Sequence, residues 1–189
     1  NINSGLYYRT LSYHLLKHKV PLLDVSDRSK LKIKCFLENL QYFTKIKNNC
    51  PIIIIDNTII NEKNLRTKKI NEYVSSYSAI IEIRSFMLLY QQSLIKIAKE
   101  KNYPGIVAEG RDMGTEVYPD ADLKIFLYAD SQTRVLRRKN DGELDNVVDR
   151  DKLDKGRKIS PLSCPKNALK INTDLNSQDE VISLILKKI

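Results

Sequence analysis

Along the first stretch of the chain, Leu6, Leu11, Leu15 and Leu16 recur at the spacing of one helical face and predict a helix over residues 6–19. A polar turn at Ser26-Asp27-Arg28 then leads into a mixed amphipathic segment over residues 30–40. β-Branched runs flank the pair Asp56-Asn57, with Ile52 to Ile55 before it and Thr58, Ile59 and Ile60 after it, which predicts a hairpin over residues 51–60. Residues 65–102 contain no Gly or Pro and predict a long helical stretch, broken near Ser75 to Ser78 and ended by Pro104-Gly105. Beyond it the pattern alternates. Short apolar strands are expected over residues 106–109, 123–129 and 168–172, with a basic helix over residues 131–139. A last helix opens at Ser177-Gln178-Asp179-Glu180, the spacing of a capping box. Short buried strands alternating with helices imply a parallel sheet in a three-layer α/β fold.

Composition narrows the class of protein. At 189 residues the chain has the length of one domain and can bury a core without disulfides or a structural metal. No apolar run approaches the roughly 20 residues of a membrane span, so no membrane association is expected. Cys35, Cys50 and Cys164 are odd in number and irregularly spaced; they fit reduced thiols in a cytoplasmic protein rather than a disulfide or zinc framework, and no residue is assigned as a metal ligand. The formal net charge of +9 comes mostly from lysines scattered along predicted helices and loops, the pattern of a solvated surface rather than a nucleic-acid footprint. The ten arginines are more telling, because several stand beside Gly, Asp and Ser, and a guanidinium donates two parallel hydrogen bonds to phosphate oxygens.

Ligands in open parallel α/β sheets bind beyond the carboxyl ends of the strands. There the chain carries Gly110-Arg111-Asp112-Met113-Gly114-Thr115, an anion-binding Arg next to an acceptor carboxylate. A second cluster, Asp149-Arg150-Asp151-Lys152-Leu153-Asp154-Lys155-Gly156-Arg157, puts Arg150, Asp154 and Arg157 at i, i+4 and i+7, so they are expected to share one helical face. A third, Asn3-Ser4-Gly5-Leu6-Tyr7-Tyr8-Arg9, places Arg9 in the first turns of a helix.

In order along the chain, Ser4-Gly5, Tyr8-Arg9, Leu65-Arg66-Thr67, Gly110 to Thr115 with Pro119-Asp120-Ala121, Leu123 to Leu127, and Arg150-Asp151, Asp154, Arg157 and Pro161-Leu162 resemble the bacterial cytidylate kinases. These are a branch of the P-loop nucleoside monophosphate kinases. The resemblance implies a three-layer α/β/α kinase domain over residues 1–189, with a monophosphate-binding insert over about 20–83 and a mobile lid over about 138–160. It implies transfer of the γ-phosphoryl group of ATP, with Mg²⁺, to CMP and dCMP in pyrimidine nucleotide metabolism, by a cytoplasmic monomer whose partners are nucleotides alone. Residue by residue, Arg9, Arg111 and Arg157 would hold the acceptor phosphate, and Ser75, Arg84 and Asp112 would read cytosine in a pocket lined by Ser4. Arg150 and Asp154 would contact the ribose and shape the lid, with Arg150 and Arg157 serving catalysis on the closing surface. Adenine would pack near the turn after Ile171-Asn172-Thr173-Asp174. Cytosine offers an amine donor beside N3 and O2 acceptors, which suits a carboxylate paired with an Arg; uracil reverses that edge.

The chain departs from the family pattern in two places. Leu153 stands where the family's lid carries an Arg, and the interval from Arg138 to Arg150 is short, as if residues near Asn140-Asp141 were missing. No Gly is followed by Lys-Ser or Lys-Thr, so the donor-phosphate loop is not in these residues and no ATP-binding residue is assigned. The expectation is that the natural protein carries it just upstream of the strand ending at Asn3-Ser4. The competing readings are a UMP or dTMP kinase of the same fold and a basic nucleic-acid-binding module. The second lacks a base-stacking aromatic set.

Overall fold

The computed structural model describes residues 1–20, 27–47, 50–140, 147–157 and 159–189, without the side chains at positions 27–29, 50, 147 and 150. Among them Asn1–Gly110 and Arg111–Ile189 form two compact units.

In the first unit, β1 (Ile2–Asn3) leads directly into α1 (Ser4–Lys17). The Asn3 side chain accepts the Leu6 amide at 2.9 Å and so caps the helix. Next come α2 (Asp27–Glu38), β2 (Tyr42–Lys47), β3 (Cys50–Ile55) and β4 (Thr58–Ile59), then the short α3 (Glu62–Leu65), α4 (Lys68–Ala79), α5 (Ile81–Glu100) and β5 (Ala108–Glu109). β1 and β5 pair in parallel, with Ile2 opposite Ala108. β2, β3 and β4 form an antiparallel three-stranded sheet. The predicted hairpin is therefore its second half, and its first strand, β2, was missed because Tyr42-Phe43-Thr44-Lys45-Ile46-Lys47 mixes strand formers with lysines. Asp56 and Asn57 take positive φ of 43° and 59°, the conformation in which Asx residues favour a tight hairpin turn. Part of the predicted turn at Ser26-Asp27-Arg28 lies outside the described residues; α2 already begins at Asp27.

The core of this unit gathers on α1. Tyr7, Leu11 and Leu15 are wholly buried, together with Ile55 of β3, Tyr77 of α4 and Ile83 and Met87 of α5. Tyr42 packs edge-on against Tyr90 with ring centroids 4.7 Å apart, and Tyr7 tilts against both. The Tyr42 hydroxyl donates to the Tyr7 carbonyl at 2.9 Å, and Thr44 Oγ1 meets the hydroxyls of Tyr7 and Tyr90. Burial pushes the phenols of Tyr7, Tyr42 and Tyr90 above their ordinary pKa, so they stay neutral donors.

The long helical stretch breaks at Ile80, not at Ser75 to Ser78. Ile80 adopts an extended φ of −73° and ψ of 128° and caps α5. The buried Arg84 Nε donates to the Ser78 carbonyl at 3.0 Å, satisfying one of the acceptors that the end of α4 leaves open.

In the second unit a π-helical turn over Met113–Val117 is followed by β6 (Ile125–Tyr128), α6 (Ser131–Asn140), α7 (Val147–Lys155), β7 (Leu169–Asn172) and α8 (Gln178–Leu186). β6 and β7 pair in parallel, Ile125 opposite Leu169. The fold is thus mixed α/β with parallel strands, as expected. Within it, β6 leaves Ile125, Leu127 and Tyr128 exposed, because an apolar run records hydrophobicity and not which layer covers it. The capping box forms as predicted: Ser177 Oγ accepts the Glu180 amide and Glu180 accepts the Ser177 amide at 2.7 Å, which holds the Glu180 carboxyl below its ordinary pKa. Among the described residues no helix is long and apolar enough to cross a membrane.

The burial pattern predicts a contrast on two leucines. Leu15→Ala should lower unfolding free energy by about 2–5 kcal/mol through the cavity it leaves, whereas Leu89→Ala, at a position 69% exposed, should change it by less than about 0.5 kcal/mol; urea titration of both variants checks this.

Candidate active site

In the first unit, α1 carries Ser4 and Arg9, α4 carries Ser75, and α5 carries Arg84. Arg9 is buried, and its Nη1 donates to the Leu65 carbonyl at 3.1 Å and to the Asn71 side chain. Ser4 Oγ accepts from Gln91 Nε2 at 2.9 Å. Ser75 and Arg84 meet through Ser78: its hydroxyl donates to the Ser75 carbonyl at 2.9 Å, and its own carbonyl accepts from Arg84. The Arg84 guanidinium, 3% exposed, lies 5.6 Å from the Tyr8 ring centroid, within cation–π range. These contacts cross between the three helices: Arg9 of α1 reaches Asn71 of α4, Gln91 of α5 reaches Ser4 of α1, and Arg84 of α5 reaches Tyr8 of α1 and Ser78 of α4.

In the second unit the residue after Gly110 anchors an ionic chain. Arg111 Nη1 donates to Asp151 Oδ1 at 2.8 Å and to Asp154 Oδ2. Asp154, 0% exposed, also pairs with Arg157, and Asp151 also pairs with Arg134 of α6 at 2.5 Å. A carboxylate this deeply buried costs several kcal/mol unless paired, and two guanidiniums supply that pairing. The expected single helical face for Arg150, Asp154 and Arg157 needs correction. α7 ends at Lys155, and Arg157 reaches Asp154 from beyond the helix end; the Gly156 amide closes the last turn on the Lys152 carbonyl at 3.0 Å. The Asp154 carbonyl then accepts the Leu162 amide at 2.9 Å, which fixes the outgoing chain. The Arg150 side chain lies outside the described residues. Leu153, at the departure from the family pattern, is 58% exposed.

Asp112 is buried and opens the π-helical turn, where its carbonyl accepts the amides of Glu116 at 3.0 Å and Val117 at 3.2 Å. Such turns are rare and concentrate at functional sites. Gly114 is required inside it: a Cβ there would stand 2.8 Å from Pro165 Cγ. Near the turn assigned to adenine, Arg137 donates to Thr173 Oγ1 at 2.8 Å and to its carbonyl at 2.7 Å. The Asp130 amide donates to Asp174, holding that carboxyl below its ordinary pKa.

The sequence reading missed Asn71, Ser78, Asp151 and Arg134. The first two carried a signal, since Asn71, Ser75 and Ser78 recur at helical spacing on α4, and Asp151 stands one turn before Asp154 on α7. Arg134 carried none beyond a basic helix.

Guanidiniums braced by a buried carboxylate, on a mixed α/β fold with parallel strands, suit a protein that handles phosphate groups. Comparison with known proteins sharpens this. The family model described as cytidylate kinase matches residues 1–189. The chain is 32% identical to the cytidylate kinase of Flavobacterium psychrophilum over 98% of its own length and 84% of that protein, and 33% identical to that of Phytoplasma mali over 100% and 83%. It is also 34% identical to the bifunctional pantoate ligase/cytidylate kinase of Prochlorococcus marinus (strain MIT 9301), of which it spans only 36%. The chain belongs to the cytidylate kinase family, and it is a nucleoside monophosphate kinase.

The buried ionic chain makes its own prediction. Asp154→Ala strands two guanidiniums and should cost about 3–5 kcal/mol of unfolding free energy, more than Asp154→Asn, which keeps an acceptor; urea denaturation of the two variants measures the difference.

Proposed function

We propose that these residues bind CMP or dCMP as phosphoryl acceptor and that, together with a donor-phosphate loop they do not themselves contain, they serve transfer of the γ-phosphoryl group of ATP to it, in a cytoplasmic monomer acting on diffusible nucleotides. The observation that carries this reading is the bracing of Arg111 and Arg157 by the fully buried Asp154, with a buried Asp112 next in sequence to Arg111. A guanidinium has five N–H donors, and Arg111 meets Asp151 and Asp154 through Nη1, so its other nitrogens suit phosphate oxygens. Orientation fixed before the substrate arrives costs nothing at the moment of reaction, which is how positioning and electrostatics accelerate phosphoryl transfer.

In this reading Arg9, Arg111 and Arg157 bind the acceptor phosphate, and Ser75, Arg84 and Asp112 bind the base with Ser4 alongside. The burial of Asp154 between two guanidiniums supports a positioning role, with Arg150 left to the ribose and the lid. The insert over about 20–83 and the lid over about 138–160 are the parts that would close on substrate and exclude water.

ATP and Mg²⁺ enter through the reaction class. Asp151 and Asp154 do not fit as magnesium ligands: each is engaged by two guanidiniums, Arg111 and Arg134 for one, Arg111 and Arg157 for the other, and a hard cation needs oxygens not already neutralised. No step is derived through the metal from these residues.

Asp112 separates this reading from a UMP or dTMP kinase. Asp112→Ala should lower kcat/KM for CMP by about 10- to 100-fold, the cost of one unpaired buried polar group, while any residual UMP turnover changes much less. Steady-state kinetics on both nucleotides test this, and an equal loss on both defeats the base-reading role. A binding titration of the unmodified chain should rank CMP above UMP and AMP.

A further inference from the structure

The chain contains two histidines, and both stand on one side of the C-terminal end of α1: His14 in its last turn and His18 as its C-cap, four residues apart. Their rings lie 4.4 Å apart between centroids. Phe36 of α2 packs against both, at 5.8 Å from His14 and 5.6 Å from His18, which limits how far either ring can swing. Facing them is Asp56, at the turn between β3 and β4, with Oδ2 at 2.9 Å from His14 Nε2.

The carboxylate is aimed from behind. Asp56 Oδ1 accepts the Gln41 amide at 3.1 Å, and the Asp56 amide donates to the Gln41 carbonyl at 2.8 Å. This is the support that ligating carboxylates receive in built metal sites, where hydrogen-bond partners outside the ligand set fix the orientation of each ligand. One ligand atom from each of His14, His18 and Asp56 lies within 4.8 Å of the other two. A tetrahedral zinc with bonds of about 2.0–2.1 Å separates its ligand atoms by about 3.4 Å. His14 and Asp56 are already closer than that, and a small rotation of the exposed His18 ring closes the set.

We propose that His14, His18 and Asp56 form a binding site for one divalent cation of the zinc type, which ties the C-terminal end of α1 to the β3–β4 turn. Two imidazoles and a carboxylate suit a borderline-soft cation and not magnesium or calcium, which select oxygen ligands. With three protein ligands, a fourth position stays open to water. Asp56 and Phe36 also line an open hollow of about 490 Å³, bounded by Lys32, Cys35, Asn39 and Leu40, which gives the ion an entry path. The site joins elements of the first unit alone and is independent of the reading of the reaction. Its consequence is structural, because the ion would add to the His14–Asp56 bond that already joins the turn between β3 and β4 to α1.

The test uses untagged protein and cobalt(II) as a spectroscopic stand-in for zinc. The wild type should take up one equivalent with the visible absorption of four-coordinate cobalt, release it to zinc, and melt at a higher temperature with zinc present. His18→Ala and Asp56→Asn should each weaken binding at least tenfold, since loss even of an outer-shell partner costs about 10- to 100-fold. Both positions are exposed, and Asn keeps the positive φ that the turn requires, so these variants leave the core intact, unlike a change at buried His14. Cys35→Ser should leave the affinity unchanged. Absence of cobalt uptake, uptake that both ligand variants retain in full, or uptake abolished by Cys35→Ser would each overturn the assignment.

Discussion

A carboxylate without solvent contact holds the second unit in register. Asp154 has no exposed surface, and removal of an ionised carboxylate from water is tolerable only where opposite charge replaces the lost hydration. Arg111 and Arg157 supply that charge, and in doing so they join the residue that follows Gly110 to the end of α7 and the segment beyond it. Asp151 extends the chain of charges to Arg134 on α6. Stability and function converge here. The pairing that makes a buried Asp154 possible also removes the rotamer freedom of two long side chains, and on the proposed function that is freedom a bound phosphate need not quench.

The first unit also buries cations. Arg9 and Arg84 are nearly as buried as Asp154, and backbone carbonyls are among their partners, Leu65 for Arg9 and Ser78 for Arg84. Each such bond helps to fix the direction in which the guanidinium points. Where the helical stretch divides at Ile80, the Ser78 carbonyl is left to the Arg84 side chain, so the break and the placement of that arginine go together.

Much of the fold was legible because it rests on local rules. The helix α1, the Asx turn at Asp56-Asn57, the capping box at Ser177 and Glu180, and the β6 and β7 strands all follow from side-chain periodicity and from hydrogen bonds that span only a few residues. What escaped depends on partners distant in sequence. β2 exists because β3 offers a ladder to it, and its lysines concealed the alternation. The π-helical turn at Met113–Val117 follows from amides reaching back to Asp112 and from the approach of Pro165 to Gly114. The site was partly legible in the same sense: Arg111, Asp154 and Arg157 could be picked out as charged residues in phosphate-suited company, but not who would pair with whom.

Taken alone, the amino-acid order determined which residue types were available, the elements they form locally, and the family to which the motifs of Arg9, Arg111-Asp112 and Arg157 point. Those properties are carried by neighbours in the chain, and no folding is needed to see them. Tertiary structure alone decided that Asp154 would be sealed between two guanidiniums, that Arg84 would spend its Nε on a helix carbonyl, and that two histidines would meet an aspartate from another element. Each of these joins residues from separate elements or rests on burial, and charge pairing and burial are decided by proximity in space, which sequence spacing does not encode.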